Sequence, residues 1–196
     1  MHTRYAGRPS PRKPEMQYLF IHINKTGGSS IEKALGLPFR HLTAREYIKM
    51  YGLETWNRSF KFAVIRNPWD KVVSHYHYRV MTNQTDLASS PISFNEWVKR
   101  TYGEGDPQYY DQPKMFMPQV KWLIDHEGQI RLNQIIRFET LDKGFRKLCR
   151  ALGVHATLPH LKSSRRGHYR EYYDKFTTEI VRDWFAEDIE TFNYRF

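Results

Sequence analysis

Two apolar runs in the first third of the chain each end at a polar turn and pass at once into helix-forming sequence. The first, "YLFIHI" (Tyr18 to Ile23), leads through "NKTGGSS" into "IEKALG"; the second, "FKFAVI" (Phe60 to Ile65), leads through "RNPWD" into "KVVSHYHYRVM". Aromatic and β-branched runs of this length, bounded by turn residues, read as buried strands. Strands that alternate with helical sequence imply parallel pairing, because parallel neighbours need a crossover and a helix supplies it. The expectation is an α/β fold in three layers, with a mostly parallel sheet between helices on both faces. In such sheets ligands sit beyond the carboxyl ends of the strands, where both runs deliver their polar residues.

The first turn has the chemistry of an anion cradle. Gly27 and Gly28 permit backbone geometry that brings amide donors close to a ligand. Ser29 and Ser30 add hydroxyls near a helix start, and the helix N-terminus adds partial positive charge. Lys25 adds a full charge. An ordinary strand-to-helix turn with an exposed lysine is the plainer alternative. The lysine precedes the glycines, and no Gly-Lys-Ser or Gly-Lys-Thr occurs anywhere, so the nucleotide-hydrolysing P-loop is absent. A kinase-like phosphoryl transferase is disfavoured for the same reason, and for want of evident Mg²⁺ carboxylates.

The second turn places Arg66 at a strand end and Ser74 two turns into the next helix, with Asn67 as its cap and Pro68 at its first position. A guanidinium can reach a phosphate that a helix hydroxyl also touches. Two strand-end anion sites imply a ligand with two anionic ends.

The rest of the chain fits one domain, 16–196, preceded by a basic, Pro-rich arm over 1–15. The formal charge is +10, from 31 Lys and Arg against 21 Asp and Glu. An anionic partner follows, whether nucleotide, nucleic acid or acidic glycan. A basic module binding nucleic acid or acidic glycan without catalysis is the alternative to an enzyme. Against it, no nucleic-acid motif occurs, and Lys and Arg do not gather on one periodic helix, so no nucleic-acid partner is expected. No run of eighteen apolar residues encodes a transmembrane helix. The lone cysteine, Cys149, shares a helical face with Phe145, Leu148 and Leu152 in "FRKLCRALG" and reads as a small core residue. These features fit a soluble, cytoplasmic protein; a trimmed Golgi lumenal domain is the alternative. "QIIRFETL" contains a third strand, and "TTEIVRDWFAEDIETFNYRF" reads as a helical stretch docked through Ile180, Val181, Trp184, Phe185, Ile189 and Phe192.

"NKTGGSS" followed by "VIRNPWDKVVSHY" resembles the sulfotransferases that use 3'-phosphoadenosine 5'-phosphosulfate, and within them the carbohydrate sulfotransferase branch, sulfotransferase family 2-like. "RFETL" and "EDIETFNYRF" look like the family's later segments. The resemblance implies the P-loop-NTPase-like sulfotransferase fold and transfer of a sulfonate group to an acceptor hydroxyl, on a carbohydrate. It implies that Lys25, Thr26, Gly27, Gly28, Ser29 and Ser30 hold the 5'-phosphosulfate, with Lys25 catalytic in bridging sulfonyl and leaving phosphate. Arg66 and Ser74, eight residues apart as in the family, would hold the 3'-phosphate. The product would be 3',5'-adenosine bisphosphate, and no metal is required. The family's Golgi members carry an anchor helix and several cysteines that this chain lacks, so their acceptors do not carry over.

A base must take the hydroxyl proton, and histidine suits neutral pH. His41, between the two motifs, is the first candidate, and relatives with a histidine there look like this segment. Glu46 is the second; an ion pair with Arg45 or Lys49 is its plainer role. His22 lies inside a strand and reads as packed. His75 and His77, two apart on a helix, point different ways and cannot share a metal. The basic stretch from Lys162 to Tyr169 is expected to flap over the donor, through Arg165 or Arg166, because related enzymes bring a late basic loop there. Trp69 is expected in the core, and Tyr109 and Tyr110 exposed on a loop. Two loops, Thr82 to Pro91 and Gly103 to Pro113, are expected to shape the acceptor pocket.

Overall fold

In the computed structural model, residues 18–159 and 167–196 are described. The expected arm over 1–15 lies outside them, as do Arg165 and Arg166. Three strands, β1 (Tyr18–Ile21), β2 (Phe60–Ile65) and β3 (Gln134–Arg137), form a parallel sheet in the order β1-β2-β3. Tyr18 sits opposite Phe60, and Ile65 opposite Arg137, so the carboxyl ends of all three strands open on one edge.

Between β1 and β2 run α1 (Gly28–Leu35) and α2 (Ala44–Arg58), the latter broken at Gly52. After β2 come α3 (Pro68–Met81), α4 (Phe94–Val98), α5 (Pro113–Phe116) and α6 (Gln119–Leu123). After β3 come α7 (Leu141–Leu152), α8 (Lys175–Trp184) and α9 (Ala186–Phe192).

The alternation of side chains along a strand sorts the core into layers. Leu19, Ile21, Ala63 and Ile65 face α2, α6 and α9, with Trp56 and Trp122 filling that layer. Phe20, Phe62, Val64 and Ile136 face α1 and α7, where Phe145, Leu148, Cys149 and Leu152 form the buried stripe. Each such side chain contributes on the order of 1.5–3 kcal/mol when fully buried. A third cluster joins α3, α4 and α8 around Trp97, Phe116 and Phe185. The expected three-layer α/β fold is thus the one formed.

Two local readings differ. The C-terminal stretch is two helices, interrupted at the fully buried Phe185. Tyr109 is only 3% exposed. Its ring packs in the helical core with the Arg100 guanidinium 4.6 Å above it, and Tyr110 lies against Phe116 and Trp184. Burying an amphipathic ring offsets the cost of ordering this loop. Trp69 is buried as expected, its indole N–H donating to the Thr178 carbonyl at 3.1 Å.

Candidate active site

The open edge of the sheet forms a cleft of about 900 Å³. Lys25, Gly27, Gly28, Ser29 and Ser30 line it from the β1 side, Arg66 and Ser74 from the β2 side, and His41 from the segment before α2. The two strand tips singled out by sequence therefore face one space.

At the first tip the chain turns through strained backbone. Lys25 has φ 63, a left-handed conformation that is costly for a residue bearing a Cβ. Gly27, at φ 82, is the N-cap of α1 and gives it no side-chain cap. Ser29 and Ser30 stand in the first turn, near the helix start as expected. With no side-chain cap, the first-turn amides of Gly28 and Ser29 are left to an outside acceptor, as an anion site requires, while the Ser30 N–H turns back to the Gly27 carbonyl at 3.2 Å. Thr26 serves the turn itself: its buried hydroxyl donates to the Ile23 carbonyl at 2.8 Å. Gly28 admits a neighbour rather than a special dihedral. A Cβ there would stand 2.1 Å from His22 Cδ2 and 2.3 Å from its Nε2.

At the second tip Arg66 is held from every side. Its Nε donates to Asp70 Oδ2 at 2.8 Å, its Nη1 donates to the Lys25 carbonyl at 2.9 Å, and its guanidinium lies 3.9 Å over the Phe138 ring. Its backbone is clamped by the Gln119 amide, which donates to the Arg66 carbonyl at 2.8 Å and accepts from its N–H at 2.9 Å. Asp188 fixes that amide and the start of α6 through Gln119 N, Gln119 Nε2 and Val120 N. Burial pushes the Asp188 carboxyl up, while those three donors and the Lys71 ammonium pull it back. Next door, Glu139 accepts from the Asn67 N–H and from the Tyr194 hydroxyl, and Asn67 Nδ2 donates to the Arg195 carbonyl. The later segments "RFETL" and "EDIETFNYRF" are the braces of the Arg66 strand end.

The histidines separate cleanly. His41 Nδ1 lies 2.8 Å from the His22 carbonyl, which can only accept, so Nδ1 carries the proton and the neutral ring keeps its lone pair on Nε2. Burial lowers the His41 pKa below 6.5, outweighing the rise that this hydrogen bond brings. His22 is buried beneath it, ring centroids 4.1 Å apart, with Nδ1 2.8 Å from Glu32 Oε1. Glu32 also accepts from the Arg40 N–H, so one carboxylate fixes both the imidazole and the segment leading to His41. His75 lines the cleft from α3 but is 4% exposed, and burial, with Lys71 and Arg79 nearby, holds its pKa well below 6.5.

Glu46 lies in a different setting. It completes a capping box with Thr43 at the start of α2, and Lys114 Nζ donates to both its oxygens, at 2.7 and 2.6 Å. Burial would raise its carboxyl, but Lys114 and Thr43 outweigh that and hold it below 4.5. Its partner is thus Lys114, not Arg45 or Lys49, and Lys114 also donates to the His41 carbonyl at 2.7 Å. Lys114 thus links Glu46 to the His41 backbone.

Both expected acceptor loops reach the cleft, through Gln84 and Gln112. Neither loop has regular strands, and what joins them is Arg79 of α3. That guanidinium is fully buried and donates from Nη2 to Asp111 Oδ1 at 2.8 Å and to Thr85 Oγ1 at 3.3 Å. Phe39, Tyr78, Met115 and Phe138 complete the aromatic and apolar lining; Lys25 Nζ lies 4.1 Å from the Tyr78 ring centroid. These side chains carry no motif of their own. Only the Gly28–Glu32 spacing, one helical turn apart, hints at the His22 pocket. Among the described residues, no group of three or more His, Cys, Asp and Glu gathers as a metal site, and no helix is long and apolar enough to cross a membrane.

A model of the sulfotransferase family, Sulfotransfer_2, matches residues 12–195. No curated protein matches the chain. Among solved structures, a sulfotransferase from Alicyclobacillus acidocaldarius is similar, with a TM-score of 0.50 and 14% sequence identity over 94% of this chain and 98% of the other. At that identity the likeness speaks to the fold, which is the P-loop-like fold of that enzyme class.

Proposed function

The chain belongs to the sulfotransferase family, and on that premise we propose that it moves a sulfonate group from 3'-phosphoadenosine 5'-phosphosulfate to a hydroxyl of a carbohydrate. The observation that carries the reading is the meeting of two cationic strand tips and a neutral histidine in one cleft.

The residues present fit the donor. The uncapped first turn of α1, with Lys25 beside it, suits the phosphosulfate end. Arg66 and Ser74 suit the 3'-phosphate, and Phe138, Leu141, Leu158 and Pro159 offer apolar surface beside them. When bound, the donor supplies a sulfonate already attached to a good leaving group, so the reading needs no metal.

The protein's part is positional and electrostatic. Lys25 and the α1 amides are fixed donors aimed where negative charge gathers on the sulfonyl and the departing phosphate oxygen. His41 Nε2 takes the acceptor proton as the acceptor oxygen bonds to sulfur and the sulfur–phosphate oxygen bond breaks. The Lys114 and His22 contacts keep the His41 ring from turning away. Arg165 and Arg166 remain proposed donor contacts.

Thermal stabilisation by 3',5'-adenosine bisphosphate tests this. At a hundred times its dissociation constant the ligand adds about 2.7 kcal/mol. The shift is expected without Mg²⁺ and is expected to fall to about 0.4–1.4 kcal/mol in Arg66→Ala, as a ten- to hundredfold weaker site gives. Stabilisation by ATP with Mg²⁺ alone would point to phosphoryl transfer, and indifference to every nucleotide would leave a glycan-binding module.

A further inference from the structure

The acceptor half of the cleft differs in kind from the donor half. Phe39 lines it with 65% of its surface exposed, unusual for a ring that already touches two others. Its centroid is 5.4 Å from His22 and 5.0 Å from His41, edge to face with both. A large apolar face is therefore presented to solvent directly beside the proposed base. Around it stand neutral hydrogen-bonding groups. Gln84 and Gln112 enter from the two loops joined by Arg79, and among the described residues neither side-chain amide has an intramolecular hydrogen bond. Asn24 donates through Nδ2 to the Met115 carbonyl at 3.0 Å, while its Oδ1 is buried with no partner among the described residues. A buried amide oxygen without a donor calls for one from a ligand or water.

Among the described residues, Lys114 and Arg40 are engaged elsewhere. Lys114 is bound to Glu46 and the His41 carbonyl, and Arg40 to Tyr51. Among the described residues, the lysine and arginine that line the cleft are Lys25 and Arg66, which the donor reading already uses.

We propose that the acceptor is an uncharged sugar, seated on the Phe39 ring and hydrogen-bonded by Gln84, Gln112 and Asn24, with one hydroxyl presented to His41. This rests on the sulfotransferase reading. A sugar ring has an axial C–H face that packs on an aromatic and a rim of hydroxyls that amides recognise; a phenol would use the ring but leave the amides unmatched, and a uronate or sulfated glycan would find, among the described lining residues, no cation besides Lys25 and Arg66, which the donor reading uses.

The test uses the full chain saturated with 3',5'-adenosine bisphosphate and reads acceptor binding by saturation-transfer NMR. Neutral oligosaccharides, heparin and a set of phenols are the three arms. Neutral oligosaccharides are expected to bind, with transfer to ring C–H protons and little dependence on salt. Phe39→Ala is expected to weaken that binding about three- to tenfold while leaving the bisphosphate thermal shift unchanged. Preference for heparin or for phenols would overturn the proposal, as would undiminished sugar binding by Phe39→Ala. Stabilisation by bisphosphate with no neutral sugar bound would sink the acceptor assignment alone. Absence of any bisphosphate stabilisation would bring down the donor reading, and this one with it.

Discussion

The two halves of the cleft are made by different means. The proposed donor half is local. Lys25 to Ser30 and Arg66 to Ser74 are two short segments, each welded to a buried strand, and their side chains follow from where the strands end. The proposed acceptor half is assembled from Asn24 beside the first strand tip, Phe39 before α2, and Gln84 and Gln112 on two loops that one buried guanidinium joins. A sheet edge can hold a charged, invariant cosubstrate with few residues because its geometry is set by backbone pairing. Loops stapled from behind can change their exposed residues without disturbing that edge.

The contrast is broken or sharpened by variants on either side. His41→Ala is expected to lower kcat by about 10²–10⁴ with the bisphosphate thermal shift retained; loss of that shift would place His41 in the donor half instead. The wild-type pH profile bears on the same residue. The base must be neutral, so activity falls as pH drops through the His41 pKa; burial puts that value below 6.5, so the acid limb should have its midpoint there. A midpoint above 6.5 would argue against His41.

Arg66→Ala is expected to weaken bisphosphate on the order of ten- to a hundredfold, measured by calorimetry, with neutral-sugar binding little changed. If sugar binding collapses equally, the halves are not separable. Gly28→Ala should cost about 1–3 kcal/mol of stability by denaturant titration, because the new methyl overlaps the packed His22 ring. Asp111→Asn should have the smallest effect, raising acceptor KM about three- to fivefold through a loosened Arg79 staple, with donor affinity unaffected. An unchanged KM would mean the staple does not set the loops.

The same division governs how much was legible in the residues. Both strand-to-helix units, the Asn67 cap with Pro68 behind it, and the buried face of α7 follow from local spacing and formed as expected. The break at Phe185 did not show, because α8 and α9 dock on the same body and their apolar positions keep helical spacing across it. The serines fell near the start of α1 as expected, and Gly27 is its N-cap. His22 reads as a packed strand residue; it is packed, but it lies just past the end of β1 at Ile21, where it borders the cleft. Glu46 could not be assigned its true partner, because Lys114 lies 68 residues away. Phe39, Gln84 and Gln112 have no spacing to betray them; only the fold brings them to His41.

The contact between Gly28 and His22 reaches beyond this chain. The imidazole fills the volume that any side chain at position 28 would need, so the two positions form a single choice of glycine with ring or side chain without it. Relatives that replace the glycine are expected to have given up the histidine as well, and pairing Gly28→Ala with a small residue at position 22 should restore the stability that either half of that exchange, made alone, forfeits.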